Sequence, residues 1–229
     1  LKQSKDALSR VATTWKKAGF RAALWSATRL FAGAIGARRL TLKSCRLDKW
    51  RKLSNNYAMS DLGQAFLDES RRFLTNAFLP RIRLCVEQLT DEQIWWRANE
   101  ESNSIGNLML HLSGNVRQWI VSGLGGAADT RRRQTEFDER KLLPGHELLA
   151  RLTATVNEAD AVLANLDPQK LAATHRIQGC DMTGLYAVYH VVEHFSMHTG
   201  QIILLTKALQ NGGLSFYDVT PDGVANPAW

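Results

Sequence analysis

Cysteine is scarce in this 229-residue chain: Cys45, Cys85 and Cys180 are the only three, and no Cys-x-x-Cys pair occurs. An odd, scattered set excludes a disulfide framework and a cysteine-based zinc site, and it fits a reducing cytoplasm. Proline is also sparse, at five residues, and with a hydrophobic content of 45% this composition suits a soluble globular protein. Long apolar runs are missing. The most apolar early segment, residues 22–35, contains Arg29 and falls short of the ~18 uninterrupted apolar residues of a membrane span.

Acidic residues are nearly absent from the first quarter. Residues 1–58 hold fourteen Lys and Arg against Asp6 and Asp48, whereas residues 59–229 hold fifteen against twenty Asp and Glu. The net charge of +7 therefore belongs to the N-terminal quarter, and the rest is acidic. The first methionine, Met59, stands where the charge changes sign. The chain thus divides into a basic N-terminal extension, residues 1–58, and a domain spanning residues 59–229. The extension reads in three ways: translated upstream sequence before a true start at Met59, an Arg-rich targeting segment, or an arm for nucleic acid or anionic membrane with Trp15, Trp25 and Trp50 among its basic residues. No nucleic-acid contact is expected for residues 59–229.

From Met59 onward the periodicity is helical and no internal repeat appears. Leu62, Phe66, Phe73, Leu74, Leu84 and Leu89 recur at helical intervals, with a break or kink expected at Pro80. Thr90-Asp-Glu-Gln93 has capping-box spacing before Trp95 and Trp96. Ser102 or Asn103 can cap a second helix over 104–124, ended by Gly125-Gly126. A polar loop with Arg131-Arg132-Arg133 precedes a third helix over 146–166, closed by Asp167-Pro168. An irregular connection over 171–181, extended near His175, leads to the longest helix, which starts at Asp181 or Thr183 and reaches Gln210. The tail reads as loop. Four long helices predict an all-α bundle.

The last helix carries His190-Val-Val-Glu193-His194-Phe-Ser-Met-His198-Thr-Gly-Gln201. His194 and His198, four residues apart, leave one face of the helix about 6 Å apart, a spacing that brings two imidazoles to one metal ion. His111, within Asn107-Leu-Met-Leu-His111-Leu-Ser-Gly-Asn115, flanks the stripe of Ile105, Leu108, Leu112 and Trp119 and is expected to face the bundle interior. A lone histidine on an apolar face is more often a satisfied core residue than a ligand. Two on adjacent turns, facing a third, make a metal set of His111, His194 and His198 that leaves coordination positions open, as in a catalytic site. Three imidazoles suit zinc or nickel, and also iron or copper.

The segments Ser104-Ile-Gly-Asn-Leu-Met-Leu-His111-Leu-Ser-Gly-Asn-Val-Arg117-Gln-Trp119-Ile and Glu193-His194-Phe-Ser-Met-His198-Thr-Gly200-Gln201-Ile202 resemble the DinB/YfiT-like superfamily of small metal-dependent enzymes. Asp61-Leu-Gly-Gln-Ala-Phe-Leu-Asp-Glu-Ser-Arg-Arg-Phe is similar to the first helix of a branch known only as a domain of unknown function. The resemblance covers roughly residues 60–210. It implies a DinB-like four-helix bundle, commonly a homodimer, with one divalent metal on the matching His111, His194 and His198. It also implies action on a small-molecule substrate, since relatives include transferases and isomerases that use low-molecular-weight thiols such as bacillithiol or mycothiol.

Other readings compete. His190-Val-Val-Glu193-His194 matches the inverted zinc-protease signature, with Glu193 as general base and His198 idle. It also needs a further acidic ligand, and only 35 residues follow His194. A di-iron bundle would need Glu-x-x-His pairs that are missing. Asn115 and Gln201 are candidate partners for the second ring nitrogens of the ligands. Arg117 and Trp119 either meet an anionic substrate or are simply a solvated Arg and a packed Trp. Cys85 and Cys180 are expected to pack as small apolar groups, and His146 and His175 to lie at the surface. No general base is fixed by spacing. The functions left open are a metal-dependent enzyme (a thiol S-transferase or a hydrolase), a non-catalytic metal-binding or stress-associated protein, and nucleic-acid binding by the N-terminal arm.

Overall fold

The first long helix begins at Met59 and runs past its proline. In the computed structural model, which describes residues 59–210 and 212–227, α1 (Met59–Arg72) passes through a π-helical segment (Phe73–Phe78) into α2 (Leu79–Val86). Pro80 has no N–H to give, and its ring crowds the preceding turn. The widened turn ahead of it, with the Leu79 N–H bonded to the Leu74 carbonyl, takes up the misfit and the helix continues. The basic extension, residues 1–58, and the three readings of it lie outside the described residues.

The capping box at Thr90 forms as its spacing predicts: the Thr90 side chain accepts from the Gln93 N–H, and the Gln93 side chain accepts from the Thr90 N–H, opening α3 (Asp91–Ile94). The cap of the next helix is a correction. Ser104, rather than Ser102 or Asn103, caps α4 (Ile105–Val116), because Asn107 at the third position returns the bond to the Ser104 N–H. Helix α4 ends in a second π-helical segment (Arg117–Ser122). Helix α6 (Gly145–Ala164) follows the short α5 (Arg133–Asp138), and α7 (Gly184–Leu209) is capped by the Thr183 side chain.

Three further regions depart from expectation. The Arg131-Arg132-Arg133 loop contains α5. The connection after α6 is a two-stranded hairpin, β1 (Thr174–Ile177) with β2 (Cys180–Thr183), whose turn residues Gln178 and Gly179 both have positive φ. The tail pairs β3 (Tyr217–Val219) with β4 (Ala225–Pro227). Short strands beside Gly or Pro turns carry little periodicity. Cys85 is buried as expected, whereas Cys180 is exposed because it opens a strand at the surface.

Helix α4 packs against both α6 and α7, and α2 and the first π segment close the bundle against α7. Leu67, Leu74, Ile82, Met109, Leu112, Ile120, Leu152, Leu163, Phe195 and Ile202 form the centre of the core and are almost fully buried. Burying each such side chain contributes roughly 1.5–3 kcal/mol, and the sum fixes the rotation of α4 and α7 that turns their histidines toward one another. Among the described residues, no helix is long and apolar enough to cross a membrane.

Candidate metal centre

His111 sits mid-helix on α4 and is 4% exposed. His194 and His198 project from adjacent turns of α7, the first half-buried and the second buried. The Nε2 atom of His194 lies 3.1 Å from His111 Nε2 and 3.1 Å from His198 Nε2. His111 Nδ1 is 2.9 Å from Glu136 Oε2, and His198 Nδ1 is 2.6 Å from Gln201 Oε1. Both are acceptors; the Arg131 Nη2 donor also lies 3.2 Å from His111 Nδ1, but the carboxylate is nearer and would repel a bare nitrogen, so each Nδ1 carries the proton and each Nε2 presents a bare lone pair. His194 Nε2 can donate to only one of its two neighbours. One N–H cannot lie along both 3.1 Å contacts, so at least one of them has no hydrogen bond.

A cation removes that conflict. Four-coordinate zinc with Zn–N of about 2.0–2.1 Å sets its imidazole nitrogens ~3.3 Å apart, close to the two spacings about His194, and all three nitrogens lie within 4.8 Å of one another. Three neutral nitrogens from two facing helices fit a divalent ion well.

Burial, then the neighbouring His198 and His111, push the His194 pKa down to about 3, and burial also lowers those of His198 and His190. Near neutral pH these rings are uncharged, the form that binds metal.

The sequence reading missed Glu136. It enters the site from α5, 8% exposed, with His111 on one oxygen and Arg131 across both: Arg131 Nε donates to Oε1 at 2.8 Å and Nη2 to Oε2 at 2.9 Å. Burial opposes a charge on Glu136, yet the hydrogen bonds from Arg131 and His111 outweigh it and hold the carboxyl below its usual range. Asn107 pins the segment in place, its Nδ2 donating to the Glu136 and Glu139 carbonyls. Phe137 covers His111, ring centroids 4.7 Å apart, and the Arg133 guanidinium lies 4.8 Å from the Phe137 ring.

One signal in the sequence could have found this carboxylate. Gly114 stands inside a helix where Gly costs about 1 kcal/mol relative to Ala, one turn past His111. A Cβ there would overlap Glu136 Oε1 and lie 2.9 Å from Arg131 Nε. Neither side chain can swing aside without giving up its partner. Gly114→Ala is therefore expected to weaken metal binding about tenfold despite the better helix propensity, as read by a competitive chelator titration; unchanged affinity would mean that Glu136 does not support His111.

Of the other predicted residues, Gln201 meets His198 as anticipated, but Asn115 does not serve a ligand. Its Nδ2 is 3.3 Å from His190 Nε2, leaving Asn115 Oδ1 without a hydrogen-bond partner. His190 packs on Trp119, with centroids 4.3 Å apart, and stacks with Tyr186, and it stands outside the converging nitrogens. Trp119 is packed, whereas Arg117 is exposed and paired with Glu158. His146 is exposed and His175 half-buried.

Comparison with known proteins agrees with this architecture. The family model "Protein of unknown function (DUF1572)" matches residues 61–222. No curated protein matches. A DinB-like protein from Bacillus cereus shares the fold at 14% identity and a TM-score of 0.51, covering 65% of this chain and 95% of its own. A conserved protein from Enterococcus faecalis does so at 15% identity and a TM-score of 0.50, with the same coverage. The helical bundle is DinB-like, and the chain belongs to the DUF1572 family.

Proposed function

We propose that the chain is a metal-dependent enzyme acting on a small molecule, with one divalent ion held by His111, His194 and His198. The observation that carries this reading is the convergence of three Nε2 atoms through two 3.1 Å contacts that a single N–H cannot both satisfy. Glu136 and Gln201 would hold the first and last of these rings in the tautomer that offers Nε2. Three protein ligands are the number found in catalytic rather than structural zinc sites, since a fourth position stays free. When bound, a divalent ion supplies the Lewis acidity that makes a water or a thiol acidic enough to be a nucleophile near neutral pH.

The residues around the ion supply the rest. Phe137, against His111, restricts water on that side, and Arg133 stacked on it holds the ring in place. His190, neutral near pH 7 and with its ring centroid 5.3 Å from that of His194, can take a proton from a substrate on Nε2 in exchange for its bond from Asn115 Nδ2, while Trp119 holds the ring in place. A low-molecular-weight thiol is the cosubstrate this reading favours, because a neutral three-nitrogen set leaves the ion its full positive charge to stabilise a thiolate. A homodimer is part of the same reading, supported by the exposed Leu185, Tyr189, Met197 and Leu204 along one stripe of α7.

Cobalt substitution tests the proposal. Adding a small thiol to the cobalt-loaded protein is expected to shift the visible d–d bands and add a sulfur-to-cobalt charge-transfer band. A spectrum indifferent to every thiol and to pH would point instead to a closed, non-catalytic metal site.

A further inference from the structure

On the far side of Glu136 from the histidines lies a second polar feature, a cavity of about 270 Å³ between α4, α5 and α6. None of the three histidines lines it. Four arginines do: Arg117, Arg131, Arg132 and Arg151, with Asp129 and Glu136 as the lining acids.

Most of this charge is already used. Arg131 is bound to Glu136 and Gln118, and Arg117 to Glu158. Asp129 is engaged by the Gln118 side chain at 2.8 Å and by the Arg131 backbone N–H at 3.0 Å. Arg132 and Arg151 remain, and among the described residues neither guanidinium has a carboxylate within ion-pair distance, although both reach the cavity from different helical segments. Arg132 stands just before α5, and Arg151 lies on the second turn of α6. Two unpaired guanidiniums facing one cavity repel each other unless an anion lies between them. Their planar forks match the oxygens of a phosphate or carboxylate.

We propose that this cavity binds a small oxyanion, a phosphate group in the first instance, between Arg132 and Arg151. The site shares Glu136 and Arg131 with the support behind His111 but none of the three histidines, and it goes beyond the enzymatic reading above. The cavity has room for more than phosphate alone, so the group can come from free phosphate or from a small phosphomonoester.

The experiment is calorimetric titration of the full chain, as isolated, with inorganic phosphate and with glycerol phosphate, beside the double variant Arg132→Ala/Arg151→Ala. Both arginines are exposed, so the variant should keep its helix content and metal content, which circular dichroism and elemental analysis check. Loss of the two charge-assisted contacts is expected to weaken phosphate binding by about tenfold or more. Tighter binding of glycerol phosphate than of phosphate assigns the site to an organic phosphate, and the reverse assigns it to the free ion. Phosphate held as tightly by the double variant would place it on the metal or the basic extension and overturn the proposal. No binding by the wild type would overturn it as well.

Discussion

His194→Ala is expected to lower the metal content from one ion per chain to almost none, by more than any other single replacement in the molecule. The reason is its position. His194 Nε2 is the common vertex, 3.1 Å from both of the other nitrogens, so its loss leaves two donors on different helices with nothing between them. Removing an outer partner of a ligand costs roughly 10–100-fold in affinity, and removing the central ligand should exceed that. Elemental analysis of wild type beside His111→Ala, His194→Ala, His198→Ala and His190→Ala makes the comparison. The first three should lose the ion, while His190→Ala should retain it, because His190 turns its Nε2 to Asn115. Loss of metal in His190→Ala with retention in His198→Ala would reverse the ligand assignment in favour of the inverted protease signature. A wild type that binds no divalent ion would remove the metal reading altogether.

The parts of this site that were legible in the sequence are those governed by helical spacing. A separation of four residues brings His194 and His198 to one face whatever surrounds them, and the apolar stripe of Ile105, Leu108 and Leu112 turns His111 inward. Helix existence was equally legible, since the capping box at Thr90 and the Gly and Pro stops act locally. Glu136 was not legible. It lies 25 residues from His111 in a charged loop whose one short helix is held by contacts from elsewhere, with Asn107 on its carbonyl and Arg131 on its carboxylate. In the sequence it is one acid among several near Arg131-Arg132-Arg133, and only tertiary structure distinguishes it. Asn115 illustrates the opposite error. Lying one turn beyond His111 suggested a shared partner, but its amide reaches across to α7 and meets His190.

Glu136→Ala is the second large effect, and it should appear in two quantities at once. Arg131, with its side chain only 5% exposed, would be left as an uncompensated buried cation. Breaking a buried pair in this way typically costs ~3–5 kcal/mol, so the variant should show a much lower urea midpoint even without metal. His111 would also lose the acceptor that fixes its tautomer, and metal affinity should fall by roughly 10–100-fold. Glu136→Gln separates the two contributions. Its amide oxygen can still accept from His111 Nδ1, so affinity should fall less than in Glu136→Ala, while the missing charge still leaves Arg131 uncompensated. Pairing Glu136→Gln with Arg131→Met removes the stranded cation and should recover most of the stability without strengthening metal binding further. Denaturation of metal-free protein, together with competitive metal titration of the wild type and all three variants, measures both quantities. If stability falls in Glu136→Ala while metal affinity stays at the wild-type value, the carboxylate serves only to neutralise Arg131, and His111 is oriented by the packing of Phe137 and α4 alone.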